Sequence, residues 1–326
     1  MCPGTVIQRC VRAVIYEKYG PPEVLELREL PSPVPGEDEV RVTVRAAALN
    51  PKDSLIRKGK FRRVTVGQFP RRLGYDASGV VAAVGQRVTR FVVGDEVFGM
   101  KQAWAGGTVA EEVCLLENEL VKKPAGVSFE EAAAVPLAAL TALQALRDEG
   151  KLQPGQRVLI NGGSGGVGVF AIQVARALGA KVTTISSARN FELCRSLGAD
   201  ETWDYATRKD FGTGWDVFFD VFGNRSFGAL RSALSPKGTY VTTVPSVQNA
   251  ALHVLTGFLS RRTRLVVVKS NAPDLEVLAR WLEGRQLKAV IDRVVSLSDV
   301  GSGQAHVETK RARGKVVVKV EVRPNA

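Results

Sequence analysis

Val158-Leu159-Ile160-Asn161-Gly162-Gly163-Ser164-Gly165-Gly166-Val167-Gly168 is the stretch most able to do chemistry. Gly163, Gly165 and Gly168 fit GxGxxG, with an apolar strand pattern before them and an apolar helical period after. In that context the first glycine permits a tight turn and the second lets backbone amides approach a pyrophosphate. The third lets helix and strand pack closely, and the helix N-terminus turns its positive end to the phosphates. Ser164, Gly166 and Val167 complete the cradle. No Gly-Lys-Ser/Thr follows, which argues against a P-loop.

The end of the next strand reports on the coenzyme. An NAD site places Asp or Glu about 20 residues on, to bond the ribose 2′-hydroxyl. Here Thr183–Asn190 contains no acid, but does contain Ser186, Ser187 and Arg189. Hydroxyls and a guanidinium bind a 2′-phosphate that a carboxylate would repel. NADP(H) is therefore the expected cofactor.

Two kinds of text must position these residues. Residues 1–124 read as short strands and turns. Glu39–Ala46 alternates with Val40, Val42, Val44 and Ala46 on one face, the period of a half-buried strand. Asn50-Pro51 starts a helix, Asn as N-cap and Pro at the first helical position, and Asp53 suits the positive end of its dipole. From Ser128 to about residue 287 strands and helices alternate, which predicts a doubly wound parallel sheet. A helix is expected over Ser226–Leu234 and a last strand over Leu265–Val268. The chain end returns to strand-like text. The fold class expected is α/β, divided 1–124, 125–287 and 288–326.

Composition bounds the rest. The chain has 326 residues, 45% hydrophobic and 24% charged, which excludes disorder and suits two domains. No apolar run reaches the length of a membrane span. Cys2, Cys10, Cys114 and Cys194 form no CxxC pair, so free thiols in a reducing compartment are expected. MCPGTVIQRC is a poor secretory signal. A cytoplasmic location is expected, with the mitochondrial matrix as alternative. The net charge is +12, and Ser54–Tyr75 holds Arg57, Lys58, Lys60, Arg62, Arg63, Arg71 and Arg72 without an acid. This reads as a solvated basic loop or an anion-attracting cleft rim; a nucleic-acid or membrane surface weighs least.

Lys18-Tyr19-Gly20-Pro21-Pro22-Glu23-Val24-Leu25, Ala48-Leu49-Asn50-Pro51-Lys52-Asp53 and Gly74-Tyr75-Asp76-Ala77-Ser78-Gly79 resemble landmarks of the medium-chain dehydrogenase/reductases, quinone oxidoreductase branch. So do Pro136–Ala142, Leu197-Gly198-Ala199-Asp200 and the Gly314-Lys315 strand. Within that branch the reticulon-interacting mitochondrial oxidoreductases look like near relatives. The resemblance implies a GroES-like β-rich catalytic domain, made of both chain ends, plus a Rossmann doubly wound parallel sheet.

Where zinc enzymes of that superfamily carry a catalytic Cys and Gly-His-Glu, this chain reads Asn50-Pro51-Lys52-Asp53 and Gly74-Tyr75-Asp76. Met100–Gly107 replaces the lobe of structural cysteines. His253 and His306 lie outside these motifs. No metal is expected. The resemblance implies hydride transfer from NADPH to a quinone or α,β-unsaturated carbonyl. Asn50, Asp53 and Tyr75 are its catalytic candidates. Related reductases often carry a tyrosine where this chain has Phe61. Tyr205, Phe222, Gly223 and Val244 are implied to line the adenosine and nicotinamide channel, and Arg311, Ala312 and Arg313 to touch the coenzyme again. A homodimer through the last Rossmann strand is the expected assembly. Two other readings stay open: an enoyl-thioester reductase, and an NADPH-binding structural or RNA-binding protein with little turnover.

Overall fold

The computed structural model describes residues 9–62, 65, 69–208 and 210–321. Cys2 and Arg63 lie outside them.

The alternating valines make strand Glu39–Leu49, the axis of a seven-stranded sheet. Val40, Val42 and Val44 are buried against Val81, Val97 and Leu115. Contrary to the expected alternation, Ala46 does not share the face of Val44: the pairing with Asp76–Val84 shifts register between Val44 and Ala46, and from Ala46 on both faces are covered. Ala46 and Ala48 pack there on Ala133 and Ala134 of helix Phe129–Ala134 and on Val317. Only small side chains permit that approach. This helix carries the expected cap, Ser128 accepting from the Glu131 amide and Glu131 from the Ser128 amide. It belongs by contact to the catalytic sheet rather than to the nucleotide domain.

Strands Asp76–Val84, Glu96–Met100 and Leu120–Lys122 continue the sheet on one side. On the other, Lys315–Lys319 pairs antiparallel with Ala46–Leu49, followed by Ile291–Ser296. The chain end is thus inserted beside the first half's central strand. Glu26–Pro31, Cys10–Tyr16 and Arg71–Arg72 form a small separate sheet.

The nucleotide domain holds six parallel strands, in the order Glu201–Asp204, Lys181–Ser186, Arg157–Asn161, Trp215–Asp220, Leu234–Thr242, Arg262–Leu265. Helix Gly168–Ala177 is buried nearly all round, between this sheet and helix Pro136–Leu143. Two expectations are corrected. The helix expected over Ser226–Leu234 is one turn, Phe227–Leu230, because Leu234 already pairs with Trp215. The last strand lies at Arg262–Leu265, where Thr263 is fully buried and the ladder to Thr239–Thr242 forms. The apolar run after it leaves the sheet.

Candidate active site

The left-handed turn after strand Arg157–Asn161 falls on Gly162, at φ +95°, one residue before the motif glycine expected to make it. Its amide and that of Gly163 both donate to the Ile185 carbonyl, at 3.0 and 3.2 Å. Gly163 serves clearance instead: a Cβ there would lie 2.8 Å from the Thr184 Cβ. A Cβ on Gly168 would lie 2.1 Å from the Gly162 carbonyl oxygen, so helix and turn are packed as the motif requires. Ser164, Gly165, Gly166 and Val167 are half-exposed above that contact. The amides of Ser164, Gly166 and Val167 donate to nothing among the described residues. Those open donors at a helix start fit a pyrophosphate.

Beside the turn, Asn190 ties two loops together, giving its amide hydrogens to Ser164 Oγ (2.9 Å) and Ser187 Oγ (3.1 Å). Ser187 is half-exposed, and Arg189 is exposed without a hydrogen bond or ion pair among the described residues. Ser186 departs from expectation. Strand alternation puts it on the side of Thr184, where its hydroxyl is buried 3.8 Å from Cys194 Sγ. Arg313, from the chain end, lies close enough that its charge acts on the Cys194 thiol, whose pKa burial nevertheless raises.

The catalytic-domain candidates form one buried cluster. Asn50 stands in the N-cap position of helix Pro51–Arg57, and the Asp53 carboxylate accepts from its backbone amide at 2.6 Å. The Asn50 side chain does not cap the helix. Its Nδ2 donates to Asp76 Oδ2 at 2.9 Å, and its Oδ1 accepts from Lys315 Nζ at 2.5 Å. Asp76 Oδ1 accepts from the Leu137 amide at 2.8 Å, in the first turn of helix Pro136–Leu143. Lys315 Nζ lies 3.5 Å from Asp76 Oδ2. Burial drives the shifts here: it pushes Asp53 up to about 7, raises Asp76 and lowers Lys315. Sequence reading quoted Asp76 and Lys315 as landmarks but gave neither a role. A Lys beside a glycine in a closing apolar strand was the available signal.

Lys315 also joins this cluster to the glycine turn. A Cβ on Gly166 would lie 3.3 Å from Lys315 Cδ, and the Gly314 amide donates to the Ser164 carbonyl at 3.0 Å. Above the cluster stand Lys52, Tyr75, Trp104 and Phe61. Lys52 Nζ sits 3.7 Å from the Tyr75 ring centroid and 5.1 Å from that of Trp104. Phe61 stacks tilted on Trp104, centroids 5.7 Å apart. Burial lowers the Lys52 pKa. The Tyr75 hydroxyl, whose pKa burial raises, donates to the Trp104 carbonyl at 2.9 Å.

Known proteins resemble this chain in sequence and fold. A model of the alcohol dehydrogenase GroES-like domain matches residues 36–125, and one described as zinc-binding dehydrogenase matches 197–318. The chain is 37% identical over 319 residues to the 2-methylene-furan-3-one reductase of Solanum lycopersicum, covering 94% of this chain and 79% of that one. It is 35% identical to the mitochondrial NAD(P)H oxidoreductase RTN4IP1 of Mus musculus, covering 94% and 89%. The solved quinone oxidoreductase of Coxiella burnetii superposes with a TM-score of 0.87 at 31% identity, over 96% of this chain and all of that one. The chain is a medium-chain dehydrogenase/reductase of the quinone oxidoreductase branch.

As a member of that branch it is an oxidoreductase, and its zinc and coenzyme sites can be tested on its own residues. The zinc does not fit. Asn50 and Tyr75 stand where the resemblance puts zinc ligands, and their polar atoms are committed to Asp76, Lys315 and the Trp104 carbonyl. Among the described residues no three His, Cys, Asp or Glu gather into a set able to hold a metal ion. His306 Nε2 meets Asp292 at 2.5 Å, and His253 Nδ1 accepts from the Leu265 amide.

The coenzyme fits. Asn161, Ser186, Asp204, Asp220 and Thr242 end their parallel strands on one side, the side where such sheets take ligands. Tyr205 is exposed there, its amide on the Ser186 carbonyl. Phe222 is exposed, with Lys310 Nζ 5.0 Å from its ring centroid. Gly223, at φ +75°, has no room for a side chain, since its Cβ would meet Val244 Cγ2 at 2.0 Å. Arg311 and Arg313 are exposed, while Ala312 packs on the catalytic core. The basic run is corrected in part. Arg57 is fully buried, paired with Glu308 and the Gly20 carbonyl, and Arg71 is buried on the Thr65 carbonyl. Lys60, Arg62 and Arg72 are exposed.

Proposed function

We propose that the chain reduces quinones or α,β-unsaturated carbonyls with NADPH, without a metal. The observation that carries this reading is the shared use of Lys315, which abuts the glycine turn and hydrogen-bonds Asn50. A coenzyme on the turn and an acceptor above Asn50 then meet in one cleft. The names of the tomato and mouse relatives support the same activity class. Preference for NADPH rests on the acid-free strand end and on Ser187, Arg189 and Arg313 beside it. Ser186 is left out of that clamp by its burial.

Bound there, NADPH supplies hydride from its nicotinamide C4. The amides of Ser164, Gly166 and Val167 hold the pyrophosphate, and Tyr205 and Phe222 flank the adenosine. Val244 closes the channel over Gly223. Lys52 gives a hydrogen bond and a proton to the acceptor's carbonyl oxygen as charge gathers on it. Tyr75 and Trp104 hold that ammonium by their ring faces. Asn50, with its carboxamide fixed on both sides, shapes the floor, and Asp53 secures the helix start. Two copies pair along the open edge of Arg262–Leu265, as exposed strand edges readily do.

The test is NADPH oxidation with quinones, enones, enals and enoyl-CoA esters. Turnover with quinones or enones is expected; turnover confined to enoyl-CoA esters sinks the reading in favour of a thioester reductase. Lys52→Met should lower kcat about a hundredfold. Arg189→Ala and Arg313→Ala should raise KM for NADPH while KM for NADH stays level, and equal effects on both would refute the phosphate clamp. Light scattering reads the dimer.

A further inference from the structure

Lys52 stands at the second position of helix Pro51–Arg57. A helix start disfavours a positive charge. Its Nζ lies 3.7 Å from the Tyr75 ring centroid and 5.1 Å from that of Trp104, and it makes no hydrogen bond or ion pair among the described residues. Lys315 and Lys58, by contrast, are committed, the one to Asn50 and Asp76, the other to Glu308. Burial lowers the Lys52 pKa, against the charges of Asp53 and Asp76, which raise it. The residue is half-exposed, so the amine is open to the cleft while two rings keep part of the water from it. A primary amine without an acid partner, partly desolvated and standing where the acceptor's carbonyl is to lie, is a nucleophile as well as a proton donor.

We infer, resting on the proposed reaction and naming a substrate class within it, that Lys52 condenses with α,β-unsaturated aldehydes and that hydride reaches them as the iminium. The amine adds to the aldehyde carbon. A carbon–nitrogen bond forms, the carbon–oxygen bond breaks, and the oxygen leaves as water with two of the ammonium's hydrogens. The positive nitrogen draws electrons from the conjugated β-carbon more strongly than a neutral carbonyl does. Hydride from bound NADPH makes the new bond at that carbon, and the displaced electron pair moves to nitrogen as an enamine. A proton from solvent at the α-carbon restores the iminium, and water then releases the saturated aldehyde and the amine. In sum, one NADPH and one proton reduce one carbon–carbon double bond. The faces of Tyr75 and Trp104 favour a cation at this nitrogen in both forms, ammonium and iminium. Aldehydes take this route because their unhindered carbonyl carbon admits the amine; quinones and enones keep to the hydrogen bond from Lys52.

Trapping tests this without NADPH, and so independently of turnover. The whole protein, given cinnamaldehyde and sodium cyanoborohydride at neutral pH, should gain the mass of the reduced imine on the peptide that carries Lys52. A Michael adduct keeps the aldehyde's oxygen and is told apart by mass. The label should reach Lys52 about tenfold or more faster than the exposed Lys60. Lys52→Arg keeps the charge but cannot condense, and should lower enal turnover about tenfold or more beyond its effect on quinone turnover. Its thermal midpoint checks the fold, and if it does not fold the trapping rates on the unsubstituted protein decide alone. The inference is overturned if Lys52 gains no reduced imine, if it gains it no faster than Lys60, or if the folded arginine variant loses enal and quinone turnover alike. Failure to trap beside intact quinone turnover overturns the inference and leaves the proposed reaction standing. Label at Lys52 in a protein that reduces no acceptor overturns both.

Discussion

Asp53 titrates far above an ordinary carboxylate because it is buried and Asp76 adds a second negative charge nearby; Asp53 Oδ1 has no hydrogen-bond partner among the described residues. The consequence for stability has a definite sign. Between about pH 4 and about pH 7 the folded chain keeps the Asp53 proton that the unfolded chain has lost. Its contribution to stability is therefore present below the lower value, falls across that window, and is gone above about 7. Asp53→Asn, which cannot titrate, should flatten the decline; urea unfolding at several pH values reads the slope, and an unchanged slope places the titration elsewhere. Lys315 is the opposite case. Lys315→Met leaves Asp76, fully buried, without its cation. Loss of one member of a buried pair costs about 3–5 kcal/mol, measurable by the same unfolding. Lys315→Arg should not rescue, since a guanidinium does not fit the space between Gly166 and Asn50.

The glycines of the turn serve different ends. A Cβ on Gly168 collides with backbone, the Gly162 carbonyl oxygen at 2.1 Å, and no flexible side chain can move aside. A Cβ on Gly165 meets the same oxygen only at 3.5 Å, an ordinary contact. Gly165→Ala should fold with its unfolding midpoint unchanged and still weaken NADPH binding about tenfold or more, because the methyl occupies the approach of the pyrophosphate. Gly168→Ala should lose stability and binding together. Calorimetric titration beside thermal unfolding separates the two, and parallel behaviour would show that clearance rather than phosphate access governs Gly165. The strand, turn and helix of this element were legible in the residues because periodicity and glycine spacing are local. What escaped was non-local. The positive φ fell on Gly162, directly after strand Arg157–Asn161 and one residue ahead of the first motif glycine. Ser186 turned inward by the parity of its strand, which a run of polar residues conceals. Arg57 stands in a basic run yet is neutralised by Glu308, 251 residues away, a partner no window along the chain contains. Helix Val247–Leu255 escaped because it exposes the residues that pattern reading takes for core.

At the scale of the molecule, the two domains share an apolar core, in which Ile56, Tyr75, Phe98, Met100 and Val121 pack with the nucleotide domain, and a few polar residues belong to both. Lys315 sits in the catalytic sheet, bonds Asn50 and presses on the nucleotide turn, while Asp76 caps a helix packed against the nucleotide domain. Binding at the turn should therefore stabilise the catalytic domain as well as its own. A ligand at about a hundredfold its Kd adds about 2.7 kcal/mol to whatever unfolds with its site. Differential scanning calorimetry should show one transition that NADPH moves upward as a unit. In Lys315→Met the polar part of this coupling is lost, so the catalytic domain should unfold at a lower temperature that NADPH raises less than it raises the nucleotide domain. Two transitions in the unsubstituted protein, only one of them sensitive to NADPH, would mean that the domains meet without sharing energy and that Lys315 merely lies between them.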